Sequence, residues 1–120
     1  MGQKIYSSKE EVAKFLKIFK SCWDGSVVPR IDPKNEDALI ILGFTPRHRM
    51  EEIKRLCIED YFDGPSPDYY YPTKELWEFG RHIKRHDIYI KISIVMKNGS
   101  YIGRCMSFHV AEFKIFYPYK

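Results

Sequence analysis

Five polar side chains in the C-terminal half of the chain, Glu78, Tyr89, Lys91, Ser107 and His109, are of the types that can cleave RNA without a metal. That chemistry needs a base to take the proton from a 2′-hydroxyl, a cation to hold the charge building on the phosphate, and an acid to protonate the leaving oxygen. Glu78 or His109 can serve as the base, Lys91 as the cation, and His109 or Tyr89 as the acid. The plainer reading is that these are ordinary polar residues on a half-solvated sheet.

Strand alternation is what would bring the five together. From Ile88 to Met96 the residues Ile88, Ile90, Ile92, Ile94 and Met96 fall on one face, and Tyr89, Lys91 and Ser93 on the other. If Trp77, Phe79 and Ile83 point inward from a strand over Leu76–Ile83, then Glu78 and His82 point outward. A third strand, Tyr101–His109, is expected to bury Ile102, Met106 and Phe108 and to leave Ser107 and His109 outside. A fourth, shorter strand is read over Phe113–Tyr117.

The turn between the last two long strands decides whether the five share a face. Lys97-Asn98-Gly99-Ser100 has the Asn-Gly signature of a two-residue hairpin. Carried straight along the ladder, that register pairs Tyr89 with Phe108 and puts His109 among the isoleucines. A one-residue slip reverses every side chain, so the hydrophobic pattern is expected to override the turn. The expectation is a three-residue loop, Lys97-Asn98-Gly99, with Met96 opposite Ser100, Tyr89 opposite Ser107 and Lys91 opposite Cys105.

Three helices are expected ahead of the strands. Ser8 with Glu11 forms a capping box, and Val12, Phe15, Leu16 and Phe19 follow at helical spacing. A second helix starts at Asp32 with Pro33 in its first turn and carries Ala38, Leu39, Ile41 and Leu42 to a stop at Gly43. Thr45-Pro46 repeats the device for a third, which turns Met50, Ile53, Leu56 and Cys57 inward. Asp60 to Asp68, with Gly64 beside two prolines, reads as the loop that divides helices from strands. Helices first and hairpin-linked strands after define an α+β fold, helices packed on an antiparallel sheet of three to four strands, in a single domain over residues 1–120.

Composition agrees with a folded domain: 44% of residues are hydrophobic and 16% aromatic, too many for a disordered chain. The three cysteines, Cys22, Cys57 and Cys105, are odd in number and never in CxxC spacing, which reads as reduced thiols and not as a disulfide frame or zinc site. No run is long and apolar enough to span a bilayer and the N-terminus lacks a signal-peptide pattern, so a cytoplasmic protein with no membrane partner is expected. The net charge of +4 is uneven: residues 88–120 hold five basic residues against Glu112 alone, whereas residues 31–60 hold five basic against seven acidic. A basic sheet beside acidic helices suits a polyanionic ligand.

The stretch from Leu56 onward resembles the MqsR-like toxins, ribonucleases of RelE-type fold. It does so through Glu59-Asp60-Tyr61 with Gly64-Pro65 and Asp68, then Leu76-Trp77-Glu78-Phe79-Gly80, Tyr89-Ile90-Lys91-Ile92, and Ser107-Phe108-His109 with Glu112. Upstream, Pro33-Lys34-Asn35, Ala38-Leu39 and Leu42-Gly43 are similar to the helical part of that group, so the likeness covers about three quarters of the chain. The resemblance implies a RelE-like fold and a toxin that cleaves single-stranded mRNA by 2′-hydroxyl attack on the adjacent phosphate, with no metal or other cofactor. It also implies a cognate antitoxin, which in this group often carries a zinc-binding domain. The catalytic positions it implies are Glu78, Tyr89, Lys91 and His109, with Trp77, Arg81, Arg104 and Ser107 contacting substrate. This chain departs from the family's best-known member at three points. It has Glu78 for an amide and His109 for a lysine, and its loop before the sheet is acidic where that member has a basic residue.

Other constellations carry less. Asp60, Asp63 and Asp68 match no EF-hand spacing. Arg47, His48 and Arg49 would suit a DNA-reading helix, but Glu51 and Glu52 beside them repel phosphate. Arg81, His82, Lys84, Arg85 and His86 make a basic hairpin tip, and Tyr69, Tyr70 and Tyr71 could stack bases. Cys105 could lie on the active face but has no partner motif. Besides the ribonuclease, the sequence leaves open a non-catalytic RNA- or protein-binding module of the same fold and, more weakly, a transcriptional regulator.

Overall fold

A computed structural model describes residues 5–68 and 74–120. Three helices, α1 (Lys9–Cys22), α2 (Lys34–Leu42) and α3 (Pro46–Lys54), precede a four-stranded antiparallel sheet. Its strands are β1 (Tyr61–Pro67), β2 (Glu75–Ile83), β3 (His86–Lys97) and β4 (Ser100–Val110), in the order β1-β2-β3-β4. The α+β arrangement with helices packed on one face of a C-terminal sheet is the one read from the sequence.

The helices start where their caps are. Ser8 and Glu11 exchange both capping-box bonds, and Val12, Phe15, Leu16 and Phe19 form the buried stripe of α1. Phe15 lies flat on Trp77 with ring centroids 4.4 Å apart, a stack that contributes about 1 kcal/mol beyond its buried area. Pro33 occupies the N-cap of α2, one step before the helical turn expected to hold it, and Gly43 ends the helix in a left-handed conformation. Ile41 is half exposed instead of inward; Ala38, Leu39 and Leu42 carry the buried face. In α3, Thr45 and His48 cap each other and Ile53 is buried, while Cys57, expected inside, lies beyond the helix and is exposed.

The segment expected as a dividing loop is an edge strand. Tyr61 pairs with Phe79 and Asp63 with Glu78, with irregular steps at Asp63 and Ser66. Edge position and bulges are what let two prolines sit in a strand. Gly64 has φ +111°, and a Cβ there would stand 2.7 Å from the Leu76 carbonyl oxygen, so only glycine allows β1 this close to β2. The Tyr61 hydroxyl, buried beneath, donates to the Gly64 carbonyl at 2.6 Å.

The β3–β4 register differs from the expectation, and the difference is instructive. The turn is the two-residue one: Lys97 pairs with Ser100, and Asn98 and Gly99 take φ of +51° and +78°. The hydrophobic pattern is satisfied farther along by a bulge. Ile92 pairs with Cys105 but Lys91 pairs with Ser107, so Met106 is the extra residue. Cys105 therefore takes the core position expected of Met106, while Phe108 remains in the core. Beyond the bulge Tyr89 pairs with His109, not with Ser107.

The bulge is held from outside the sheet. Val28 N donates to the Cys105 carbonyl at 2.8 Å. The Asn35 side chain donates to the Met106 carbonyl and accepts from Phe108 N, each at 3.0 Å. The expected strand at Phe113–Tyr117 does not form; the segment crosses the sheet face opposite the helices as an irregular strap, with Ile115 packed over Gly80. No helix among the described residues is long and apolar enough to cross a membrane.

Candidate active site

On β2, Glu78 alternates with the inward Trp77 and Phe79; on β3, Tyr89 and Lys91 alternate with the fully buried Ile88, Ile90 and Ile92. On β4 the bulge returns Ser107 and His109 to the face of Lys91 and Tyr89. Two cross-strand rows result, Glu78–Lys91–Ser107 and Gly80–Tyr89–His109. All five sequence-predicted residues of the chemical set thus stand on the face away from the helices.

Within the set, Tyr89 is the centre. Its hydroxyl donates to a Glu78 carboxylate oxygen across the diagonal. Burial, then this carboxylate, and then nearby Asp63 push the phenol well above its usual ionisation range. Tyr89 is therefore held as a protonated donor that orients Glu78. The His109 ring lies against it, centroids 5.3 Å apart, and Phe113 of the strap meets it edge-on at 5.7 Å. A carbonyl can only accept, so the 2.9 Å contact from His109 Nδ1 to Val110 O fixes the proton on Nδ1. Nε2 is then the ring position through which a proton can be taken or given.

Two hollows flank this centre. The larger, about 600 Å³, is lined by Lys91, Arg30 and Met106 with Val28, Pro29, Pro67, Asp68 and Leu76. The smaller, about 180 Å³, lies between α2 and the end of β4 and takes in His109 with Lys34 and Glu112, which pair at 2.5 Å. Lys91 and His109 therefore share a face but open into different hollows, with Tyr89 between them.

Arg30 is the site residue that sequence reasoning missed. It lies in the connection before α2, 77 positions from Ser107 on β4, and its Nη1 donates to Ser107 Oγ at 3.0 Å. The rest of its guanidinium is held by Asp32, with Nε and Nη2 donating to Oδ2 at 3.1 and 2.7 Å. Nothing local marks Arg30 as part of a site. The only indirect signal was the extended Val27-Val28-Pro29 stretch, which lays this segment along the edge of β4.

Trp77 and Arg81, expected to contact substrate, fall on the opposite face. Trp77 is buried against Phe15, and Arg81 is engaged by Glu52 and Asp60, each at 3.1 Å. Arg104 is exposed on the open face opposite Ser93, toward the hairpin tip and away from Tyr89. Cys105 is in the core, and burial pushes its thiol up to about 12. At the basic tip, Lys84 donates to the Leu42 carbonyl at 2.8 Å and so caps α2, and His82 pairs with Asp87. Arg49 is buried, which removes it from any DNA-reading surface on α3. Tyr69, Tyr70 and Tyr71 lie outside the described residues.

The fold and this face define an α+β protein with an acid, a phenol, a cation and an imidazole on the side of an antiparallel sheet away from the helices, the phenol and imidazole buried there. No family model, curated protein or solved structure matches the chain.

Proposed function

We propose that this protein is a metal-independent endoribonuclease, the toxin of a toxin–antitoxin pair. The observation that carries the reading is the Glu78–Tyr89 hydrogen bond, with Lys91 next to Glu78 across the ladder and Arg30 bonded to Ser107 beyond it. The resemblance to MqsR-like toxins adds support, because the four catalytic positions it implies, Glu78, Tyr89, Lys91 and His109, fall on that face, although Trp77 and Arg81 do not.

In this proposal a strand of mRNA runs from the large hollow past Glu78 and Lys91 toward the smaller hollow that holds His109, with Tyr89 packed beneath it. Glu78, held by the phenol, takes the 2′-hydroxyl proton, and the freed oxygen attacks the adjacent phosphorus. Lys91 and Arg30 neutralise the charge that gathers on the phosphoryl oxygens. His109, entering the step as the imidazolium with its Nδ1 proton on Val110 O, gives its Nε2 proton to the departing 5′-oxygen. This leaves a 2′,3′-cyclic phosphate on one product, a 5′-hydroxyl on the other, a neutral His109 and a protonated Glu78. A cognate antitoxin would neutralise the toxin.

The test is incubation of purified protein with single-stranded RNA in a chelating buffer, followed by analysis of the product ends, together with induced expression of the protein without a partner. Cyclic phosphate ends, growth arrest and loss of intact mRNA are the expected results. Intact RNA and sustained growth at confirmed expression would remove the enzyme and leave the binding-module reading. That second reading has one observation in its favour, the separation of His109 from Lys91 by the Tyr89 ring.

A further inference from the structure

The bulge at Met106 is costly to keep and closely held, which points to a purpose beyond closing the sheet. An extra residue in a ladder leaves backbone groups without strand partners, and such bulges commonly serve to re-aim a side chain. Here Val28 N takes the Cys105 carbonyl, and Asn35 takes both the Met106 carbonyl and Phe108 N. The core does not use Met106, because Cys105 fills the inward position. Instead the Met106 sulfur accepts from the buried Ser93 hydroxyl at 3.7 Å on the face away from the helices, and the side chain forms a wall of the large hollow.

That hollow is divided chemically. Val28, Pro29, Pro67, Leu76 and Met106 supply apolar walls and Arg30 and Lys91 two cations, while Asp68 adds a carboxylate that lies 3.7 Å from Lys74. Both cations meet the row that carries Ser107: Lys91 pairs with it across the ladder, and Arg30 bonds its hydroxyl. A volume of about 600 Å³ accommodates a nucleotide unit. Apolar and thioether surfaces suit the face of a nucleobase, and Lys91 together with Arg30, whose Nε and Nη2 are held by Asp32, suits its phosphate.

We infer that the hollow beside β4 binds one nucleotide of single-stranded RNA next to the cleaved bond, its base against Met106 and its phosphate on Arg30 and Lys91. Resting on the ribonuclease reading above, it assigns Met106 as a specificity-determining residue of that reaction. The base is held by its face, so Met106 sets how well a given nucleobase is retained and takes no part in proton transfer.

The experiment measures binding separately from cleavage, using a fluorescein-labelled 2′-O-methyl RNA oligonucleotide of mixed sequence that cannot undergo 2′-hydroxyl attack. Met106→Ala is expected to weaken binding roughly tenfold, the scale of one lost base contact. Met106→Leu, which keeps an apolar wall, should restore most of it, and Met96→Ala, an exposed methionine near the hairpin tip, should leave it unchanged. Sequencing of cut ends from natural-sugar RNA should show Met106→Ala shifting the preference at one position beside the cut, whereas Lys91→Ala lowers cleavage at all sites alike. Equal affinity of wild type and Met106→Ala would overturn the inference and leave the ribonuclease reading standing. Failure of the wild type to bind the oligonucleotide would overturn both.

Discussion

Tyr89 and Glu78 are diagonal neighbours across β2 and β3, and the phenol donates its hydrogen to the carboxylate. The ring is packed between His109 and Phe113, so the hydroxyl has one direction in which to point. A buried phenol aimed at a carboxylate keeps that carboxylate in place as an acceptor, and the raised ionisation of Tyr89 keeps the donor protonated.

Tyr89→Phe therefore removes the orienting bond and keeps the packing. RNA cleavage should fall roughly tenfold to a hundredfold, while the fold survives with a change within about 1 kcal/mol. Single-turnover cleavage and denaturant melts of the two proteins check this, and unchanged cleavage would show that Glu78 needs no orientation.

Lys91→Ala and His109→Ala should each lower cleavage by roughly a hundredfold or more, the usual scale for an electrostatic or acid–base group. Their stabilities should differ. Lys91 is half-buried and makes no ion pair among the described residues, so its loss should be nearly neutral. His109 is 8% exposed and packs on Tyr89, so its truncation should cost about 1–2 kcal/mol. Full activity in both variants would exclude them from the chemistry.

Asn35→Ala should be among the most destabilising polar substitutions in the chain. It leaves the Met106 carbonyl and Phe108 N without their partner at a buried sheet edge, at about 1–3 kcal/mol for each group. Asn35→Asp, which keeps an acceptor for Phe108 N and loses the donor to Met106 O, should also be destabilising. Urea unfolding of both variants measures the effect, and a loss below about 0.5 kcal/mol in Asn35→Ala would mean the bulge holds without this bond.

Stability should decline above pH 9. The Cys105 thiol is raised from 9.0 to about 12 by burial, so it stays protonated in the fold after the unfolded chain begins to ionise. A group raised in the folded state contributes fully below its unfolded value and loses that contribution as pH climbs toward the folded one. The unfolding free energy should then fall by roughly 1 kcal/mol per pH unit between about pH 9 and 12, with Tyr89 and Tyr61 adding to the slope above about pH 10. Urea midpoints across that range check it. Cys105→Ala should start from a lower stability and show a flatter slope.

Much of this architecture is legible along the chain because its causes are local. Ser8 with Glu11, Thr45 before Pro46 and Gly43 after Leu42 place helix ends through bonds made within a few residues. The isoleucines of β3 declare its buried face by alternation alone, and with it the opposite face that carries Tyr89 and Lys91. Asn98-Gly99 declares its turn for the same reason, since two residues in left-handed backbone need no distant partner.

Tertiary structure decided what local signals left in conflict. The turn and the hydrophobic pattern demand registers one residue apart, and a sequence read strand by strand must choose between them. The folded chain keeps both by spending Met106 on a bulge, which is tolerable only because Val28 and Asn35 arrive from far upstream to bond the displaced backbone. The same long-range packing lays Arg30 on Ser107, makes an edge strand of Tyr61–Pro67 where Gly64 lets it approach β2, and draws the strap over Gly80. Residue types in this chain determined which groups could do chemistry and which strand face would carry them. Which of them meet was decided by contacts between segments 29 to 77 positions apart, whose energies no local window of sequence contains.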